Sequence, residues 1–146
     1  MNAPALLDAN VLIALFDLRH VHHNIAHDWF ADNRARGWAT SPLTENALLR
    51  IVSNLKYGSN SERTPLLAAR LRTFCATADH HFWPDALSLR DQRVFDLSVA
   101  SHHHLTDVYL LGLAKAMGGV LATFDRTVPI AAVIGATSDL LEVITA

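Results

Sequence analysis

The segment from His104 to Arg126 constrains the fold more than any other part of the chain, because it combines a helix and a strand with a carboxylate at the outer end of each. Residues 108–117 are apolar on every side except at Gly112 and Lys115, which predicts a buried helix. Two glycines then end the helix. The short, partly β-branched run 120–124 predicts a buried strand.

The two carboxylates of this segment belong to Asp107 and Asp125. A helix of about eleven residues is about 16 Å long, and a strand of about five residues is similar in length. A strand that returns antiparallel to the helix therefore ends beside the start of the helix. Asp107 and Asp125 would meet at this edge, where they repel each other unless protons, bases or a divalent cation intervene.

Hydrophobic periodicity predicts alternating strands and helices along the rest of the chain. The predicted strands are 5–7, 38–40, 81–83 and 141–144. The predicted helices are 11–16, 22–34, one that starts at Pro42 with Ser41 as its N-cap, 66–78 and 91–99. The segment 56–63 is the clearest predicted loop.

Length and composition predict one domain that spans residues 1–146, because 51% of the residues are hydrophobic and can form a sizeable core. The formal net charge of −2 argues against a generally basic nucleic-acid-binding surface. The single Cys75 excludes an intramolecular disulfide and is consistent with a reducing, cytoplasmic location. The pattern predicts neither a membrane span nor a secretory signal.

Four acids stand out: Asp8 after the first predicted strand, Glu45 in the helix after the second, Asp107 at the start of the buried helix and Asp125 after the strand that follows it. If the strands are parallel, all four converge on one edge of the sheet, where hard cations such as Mg²⁺ or Mn²⁺ would find oxygen ligands. Each acid alone also has a helix-capping or helix-dipole explanation. Glu45 lies one position beyond the place of a capping-box residue, which is Thr44. The hypothesis of an acidic site therefore depends on the coincidence of the four.

Histidine and cysteine side chains offer weaker signals. His23 and His27 have a spacing that zinc sites use on helices, but no Glu follows the first of them and no Cys is near. A partly solvated polar face is therefore the favoured interpretation, with an RNA contact as an intermediate one. The triplet 102–104 has weak metal-binding potential, and a loop next to the acidic edge is the simpler interpretation. Cys75 is interpreted as a small core residue rather than a nucleophile, because no base is evident near it.

Four segments together resemble the acidic motifs of PIN-domain ribonucleases, and specifically the VapC-type toxins of bacterial type II toxin–antitoxin pairs. They are LLDANVLIAL, SPLTENALLRIV, LTDVYLLGLA and LATFDR, and HVHHNIAHDWF follows the first motif as it does in such toxins. The resemblance covers nearly the whole chain in order. It implies an α/β fold, a PIN-like three-layer sandwich with a central parallel sheet of four or five short strands flanked by helices.

The same resemblance implies a metal-dependent endoribonuclease. By position, Asp8, Glu45, Asp107 and Asp125 would be catalytic and would hold Mg²⁺ (or Mn²⁺) directly or through water. Two supporting residues and three possible RNA contacts complete the expected site: Asn10, which would orient Asp8; Thr123, which would support the water network; and Arg126, Arg19 and His23. An ion pair with Asp125 is the structural alternative for Arg126.

The expected partners are an RNA substrate, a cognate VapB-type antitoxin protein that blocks the site, and a second copy of the chain in a homodimer. Two other functions remain open at this point. One is a non-catalytic PIN-fold module that binds RNA or protein. The other is a haloacid-dehalogenase-type phosphatase, but that family uses a second aspartate as acid/base two residues after the first, and this chain has Asn10 at that position.

Overall fold

A computed structural model describes residues 3–146, so residues 1 and 2 of the predicted domain lie outside the described residues. Within this range the strands are β1 (Ala5–Leu7), β2 (Trp38–Thr40), β3 (His80–Phe82), β4 (Val120–Thr123) and β5 (Leu141–Val143). The α-helices are α1 (Ala9–Phe16), α2 (His23–Asn33), α3 (Pro42–Val52), α4 (Thr64–Phe74) and α5 (Leu105–Ala116). Among these helices, none combines the length and apolar character needed to cross a lipid bilayer.

All five strands belong to one parallel sheet with the order β3-β2-β1-β4-β5. At the centre, Leu6 of β1 pairs with Ala39 of β2 on one side and Leu121 of β4 on the other. The chain moves outward from β1 to β3 and then crosses back to β4, so the connections that leave β1 and β4 diverge. Such a switch point opens a crevice at the carboxyl ends of the strands. The predicted parallel α/β sandwich is confirmed.

The start of α3 confirms the predicted cap. The Ser41 side chain accepts a hydrogen bond from the Thr44 backbone N–H, and the Ser41 N–H donates to Thr44 Oγ1 at 3.0 Å. Pro42 occupies the first turn, where its missing N–H costs nothing. Because Thr44 completes this capping box, the Glu45 side chain has no part in it, and Glu45 contributes only its backbone N–H, which donates to the Ser41 carbonyl at 3.0 Å.

The predicted helix over 91–99 is wrong. Asp91 accepts a hydrogen bond from the Arg93 backbone N–H, a local turn that competes with helix formation. Phe95 then forms an isolated antiparallel bridge with Val133, and the Asp96 N–H donates to the Ala132 carbonyl at 2.8 Å. The segment is thus a turn followed by an extended pairing at Phe95 and Asp96 and a short 3-10 helix at Leu97–Val99. The pairing with a later loop is a tertiary contact that local periodicity does not encode.

Two hydrophobic cores lie on opposite faces of the sheet. The first is built around α5 and includes Leu6, Leu121 and Phe95. The second lies beneath α1, α3 and α4 and includes Leu7 and Trp38. Side chains alternate between these faces along each strand, so the face on which a residue lies can be read from its place in the strand.

Candidate metal centre

Asp8 lies at the switch point, directly after β1. Its carboxylate is 4% exposed and accepts a hydrogen bond from Thr123 Oγ1 at 2.8 Å across from β4. Although Asp8 is the N-cap residue of α1, its side chain makes no capping hydrogen bond. The capping explanation is therefore limited to a contact with the adjacent Ala9 backbone, and the other partner of this buried carboxylate is Thr123.

Asp107 and Asp125 complete a group of three aspartates around this crevice. Asp107 lies in the first turn of α5, and Asp125 follows β4. Burial raises the pKa of Asp107 to about 6, and the negative charges of Asp8 and Asp125 add to the shift. Burial likewise raises the pKa of Asp8, with a smaller contribution from Asp125. The three carboxylates therefore lie close enough to repel one another, as the sequence predicted for Asp107 and Asp125.

Hydroxyl and backbone groups fix Asp125. Its N–H donates to Thr123 Oγ1 at 3.1 Å, so this hydroxyl contacts both Asp8 and Asp125. The Asp125 carboxylate accepts from Thr127 Oγ1 at 2.6 Å and from the Thr127 N–H at 2.8 Å. These hydrogen bonds lower the pKa of Asp125. Asp125 is thus held in its charged form beside two aspartates whose pKa values are raised.

His104 also belongs to the site, at the start of α5. Its Nε2 lies 3.2 Å from Thr127 Oγ1, and it lowers the pKa of Asp107 and Asp125 by charge interaction. Of the triplet 102–104, His104 lies next to the acidic edge as predicted, but the three residues form a turn of 3-10 helix rather than the predicted loop. Sequence reasoning missed Thr127, although the spacing Asp-x-Thr, which favours a local side-chain turn, signals it.

Glu45 does not face the three aspartates. Its Oε2 accepts a hydrogen bond from Thr40 Oγ1 at 2.7 Å, and Thr40 lies on the same face of β2 as Trp38. Asp8 and its partner Thr123 instead continue the alternation of residues that pack against α5. The structure therefore brings three of the four predicted acids together and places the Glu45 carboxylate on the other side of the sheet.

The remaining predicted site residues are dispersed. Asn10 is exposed, and the partners of the Asp8 carboxylate are Thr123 and the Ala9 backbone rather than Asn10. Arg126 is exposed beside Asp125, and the ion pairs of the described residues do not include one between them. Arg19 is exposed and donates to Asn60 Oδ1 at 3.4 Å, a contact between two loops.

The two histidines of the predicted zinc spacing have ring centroids 6.0 Å apart, and the His23 Nδ1–H donates to the Ala14 carbonyl at 2.7 Å. This bond ties α2 to α1. A neighbour that the sequence did not single out, His22, packs against Phe124 with ring centroids 4.7 Å apart. An aromatic pair thus lies one residue from Asp125.

The chemistry of the three aspartates fits a divalent cation. Their donors are all carboxylate oxygens, the hard ligands that such cations prefer, and they gather at the carboxyl edge of a parallel sheet. The raised pKa of Asp8 and of Asp107 reflects burial and mutual repulsion, both of which a cation between them would relieve. No basic side chain is salt-bridged to these acids among the described residues.

Comparison with known proteins gives consistent matches over most of the chain. The family model described as PIN domain matches residues 5–133. Ribonuclease VapC39 from Mycobacterium tuberculosis is 43% identical over 122 residues, which cover 83% of this chain and 88% of that protein. Ribonuclease VapC44 from the same organism is 39% identical over 142 residues, 94% of this chain and 96% of its own. Ribonuclease VapC29 is 41% identical over 120 residues, with 82% and 84% covered.

Proposed function

This chain belongs to the PIN-domain family, and on that premise we propose that it is a metal-dependent endoribonuclease of the VapC toxin type. The observation that carries the proposal is the group of Asp8, Asp107 and Asp125 at the β1/β4 switch point, where burial and like charge raise two of the three pKa values. The names of the relatives supply the reaction class, and the acids of this chain supply a site for it.

Asp8, Asp107 and Asp125 would hold Mg²⁺ or Mn²⁺. When bound, such a cation lowers the pKa of a water that attacks the phosphodiester and offsets charge on the phosphate oxygens. Thr123 positions this site, because its one hydroxyl proton goes to Asp8 while its oxygen accepts the Asp125 N–H. Thr127 fixes the Asp125 carboxylate in the same way from the other side. The supporting role predicted for Thr123 is thus proposed to be the positioning of two ligands.

The roles that the sequence predicted for Glu45 and Asn10 stay predictions, and the proposed centre does not include either side chain. A water-mediated role for Glu45 would require its side chain to turn away from Thr40, because the present hydrogen bond directs the carboxylate to the opposite face of the sheet. Asn10 is exposed at the start of α1 and would contact RNA or solvent more readily than Asp8.

RNA would reach the acids from the carboxyl edge of the sheet. Exposed Arg126 adjoins Asp125, and His104 lies within the site. His22 on Phe124 offers an aromatic surface on which a base can stack. Arg19 and His23 are held in contacts between α1, α2 and a neighbouring loop, so we propose them as contacts at the margin of the substrate.

The relatives carry the name Ribonuclease VapC, and the resemblance of this chain to VapC-type toxins supports an antitoxin as its partner. We propose that this antitoxin is of the VapB type, that the toxin is a homodimer, that it acts in the cytoplasm and that residues 1–146 form a single PIN domain. The antitoxin type and the homodimer follow from the family, the single domain follows from the family match and the length of the chain, and the single Cys75 supports the cytoplasmic location.

The proposal predicts that the purified, antitoxin-free protein cuts total cellular RNA into discrete fragments in Mg²⁺ or Mn²⁺. EDTA should abolish the fragments, and so should Asp107→Asn, which keeps the shape of the side chain while removing a charge from the site. Asp28→Asn is the matched control, because Asp28 is exposed on α2 and far along the chain from the acids.

Cleavage by Asp107→Asn at the parent rate would refute the role of Asp107. If the folded parent protein bound RNA but never cut it in either metal, the non-catalytic module would replace the enzyme as the best account.

A further inference from the structure

A second cluster of metal-ligating side chains lies at the edge of the sheet, away from the three aspartates. Glu45 from α3, Cys75 at the end of α4 and His80 at the start of β3 place one ligand atom each within 4.8 Å of one another. Among residues 3–146, no other group of three His, Cys, Asp or Glu side chains has its ligand atoms this close together. The carboxylate oxygens of the three aspartates are therefore farther apart than the ligand atoms of this cluster.

The hydroxyl of Thr40 lies in the middle of this cluster and is fully buried. It donates to Glu45 Oε2 at 2.7 Å and lies 2.8 Å from His80 Nε2. Burial and the Glu45 carboxylate raise the pKa of Cys75 to about 11, and a hydrogen bond with the Thr40 hydroxyl opposes that shift. The Thr40 hydroxyl thus contacts the carboxylate, the imidazole and the thiol of the cluster.

The three side chains are partly exposed, and this makes the point accessible to an ion from solvent. His80 packs on Trp38 with ring centroids 4.6 Å apart, which limits the orientations of its ring. Cys75 and His80 therefore come from well-packed elements, and the longer Glu45 side chain can change its rotamer to bring its carboxylate to the metal. A site of this kind is partly formed before a metal arrives.

The donor set selects a class of metal. Thiolate, imidazole and carboxylate are zinc ligands, whereas Mg²⁺ prefers oxygen donors alone. Bond lengths of about 2.0 to 2.3 Å place the ligand atoms of tetrahedral zinc about 3.3 to 3.8 Å apart, so ligand atoms that already lie within 4.8 Å of one another need to approach by about 1.5 Å at most. Three protein ligands leave the fourth position to water, and the Cys75 thiol gives its proton to solvent as the metal binds.

We propose that Glu45, Cys75 and His80 form a Zn²⁺-selective site that is separate from the three-aspartate centre and lies on the opposite face of the sheet. In this site the Glu45 carboxylate lies beside Cys75 and His80 rather than beside the three aspartates. It stands on the geometry of these three residues and does not depend on ribonuclease activity.

Titration of the reduced full-length protein with Co²⁺ tests the proposal, because Co²⁺ takes zinc sites and a Co²⁺–thiolate bond absorbs in the near-ultraviolet. Cys75 is the single cysteine, so this absorption reports on one site even if the histidine-rich segments also bind metal. We expect a band that saturates at one Co²⁺ per chain. One equivalent of Zn²⁺ should displace it, and a large excess of Mg²⁺ should not.

Three variants make the test specific. Cys75→Ser should lose the band, and His80→Ala should weaken Co²⁺ binding by about tenfold or more. Asp125→Asn alters the three-aspartate centre and should retain the band. Circular dichroism of each variant checks folding. In the unaltered protein, Zn²⁺ should also slow the reaction of Cys75 with a thiol reagent, a readout that needs no variant.

Absence of the thiolate band from the folded, reduced parent protein would overturn the proposal. So would a band that His80→Ala leaves at full strength, or one that Asp125→Asn abolishes. The first result would make the cluster a hydrogen-bonded packing feature around Thr40. The other two would assign Cys75 to a different set of ligands.

Discussion

At the scale of single residues, Thr123 connects the two strands that build the candidate metal centre. It is 1% exposed, donates to Asp8 Oδ2 and accepts from the Asp125 N–H. A hydroxyl in this position orients two ligands at once. Hydrogen-bonding partners of metal ligands affect metal affinity nearly as strongly as some ligands do.

Thr123→Val should therefore lower metal affinity by about tenfold or more while keeping the shape of the side chain. It leaves two buried polar groups without their partner, which should cost about 1 to 3 kcal/mol of stability. Calorimetric Mn²⁺ titration and thermal unfolding measure the two effects. Thr123→Ser restores the hydroxyl and should recover most of the affinity. Equal Mn²⁺ binding by Thr123→Val and the parent would show that the hydroxyl does not position the ligands.

The pKa of Asp107 predicts how the metal-free protein responds to pH. Its pKa is 3.8 when unperturbed and about 6 in the folded protein, so the folded state binds more protons than the unfolded state between these values. Stability should consequently fall as pH rises from 3.8 to about 6 and should stay low above that. Because Asp107 is only half-buried, we discount the shift to about 1 to 2 kcal/mol.

Asp107→Asn removes this cost, so at neutral pH without metal it should be more stable than the parent by about 1 to 2 kcal/mol. At pH 3.5 the two proteins should be similar. Added Mn²⁺ should stabilise the parent and have little effect on the variant. Chemical denaturation at both pH values, with chelator and then with Mn²⁺, checks this. Loss of stability in the variant at neutral pH would show that the Asp107 charge is compensated in the fold.

At the scale of elements, most of the regular structure could be predicted from the chain. The start of α3 follows from Ser41 and Pro42, and the central strands follow from short apolar runs. The segment 91–99 could not be predicted, because Phe95 pairs with a residue about 40 positions later through a backbone bridge. Local periodicity contains no information about that pairing.

The same segment explains a feature of α5 that the sequence left unexplained. A side chain at Gly112 would place its Cβ 2.4 Å from the Phe95 ring, which is itself 3% exposed in the core. Glycine in a helix interior normally costs about 1 kcal/mol relative to alanine. Here it allows the extended segment to lie directly on the helix.

Gly112→Ala should therefore destabilise the protein by about 1 to 2 kcal/mol, because the overpacking against Phe95 outweighs the gain in helix propensity. Thermal and chemical unfolding measure the change. Gly112→Ala combined with Phe95→Leu should lose less than the sum of the two single variants, since the smaller side chain relieves the overlap. A stabilised single variant would indicate that Phe95 moves freely.

At the scale of the whole molecule, topology brings together residues that are distant in the chain. The order β3-β2-β1-β4-β5 sets Asp8 and Asp125 beside each other, and α5 adds Asp107 from above the sheet. The expectation of parallel strands predicted that all four acids would converge, and Asp8, Asp107 and Asp125 do lie together. It did not predict the direction of Glu45, because a long side chain next to Thr40, Cys75 and His80 has local partners that the motif does not encode.

The two clusters divide the donors of the chain by chemistry as well as by position. Oxygen donors lie at the switch point, and the mixed set of oxygen, nitrogen and sulfur lies at the β3 edge. Hard and soft metals are thus expected to bind at different places. Glu45 is the one residue that the sequence assigned to the acidic centre and the structure places in the second cluster.

Mn²⁺ binding by isothermal titration calorimetry, in the parent and in Asp8→Asn, Asp107→Asn, Asp125→Asn and Glu45→Gln, tests the central claim most directly. We predict that each aspartate variant lowers Mn²⁺ affinity by about tenfold or more, while Glu45→Gln changes it much less. Undiminished Mn²⁺ binding by the three folded aspartate variants would contradict the account and would move the metal centre away from the β1/β4 crevice.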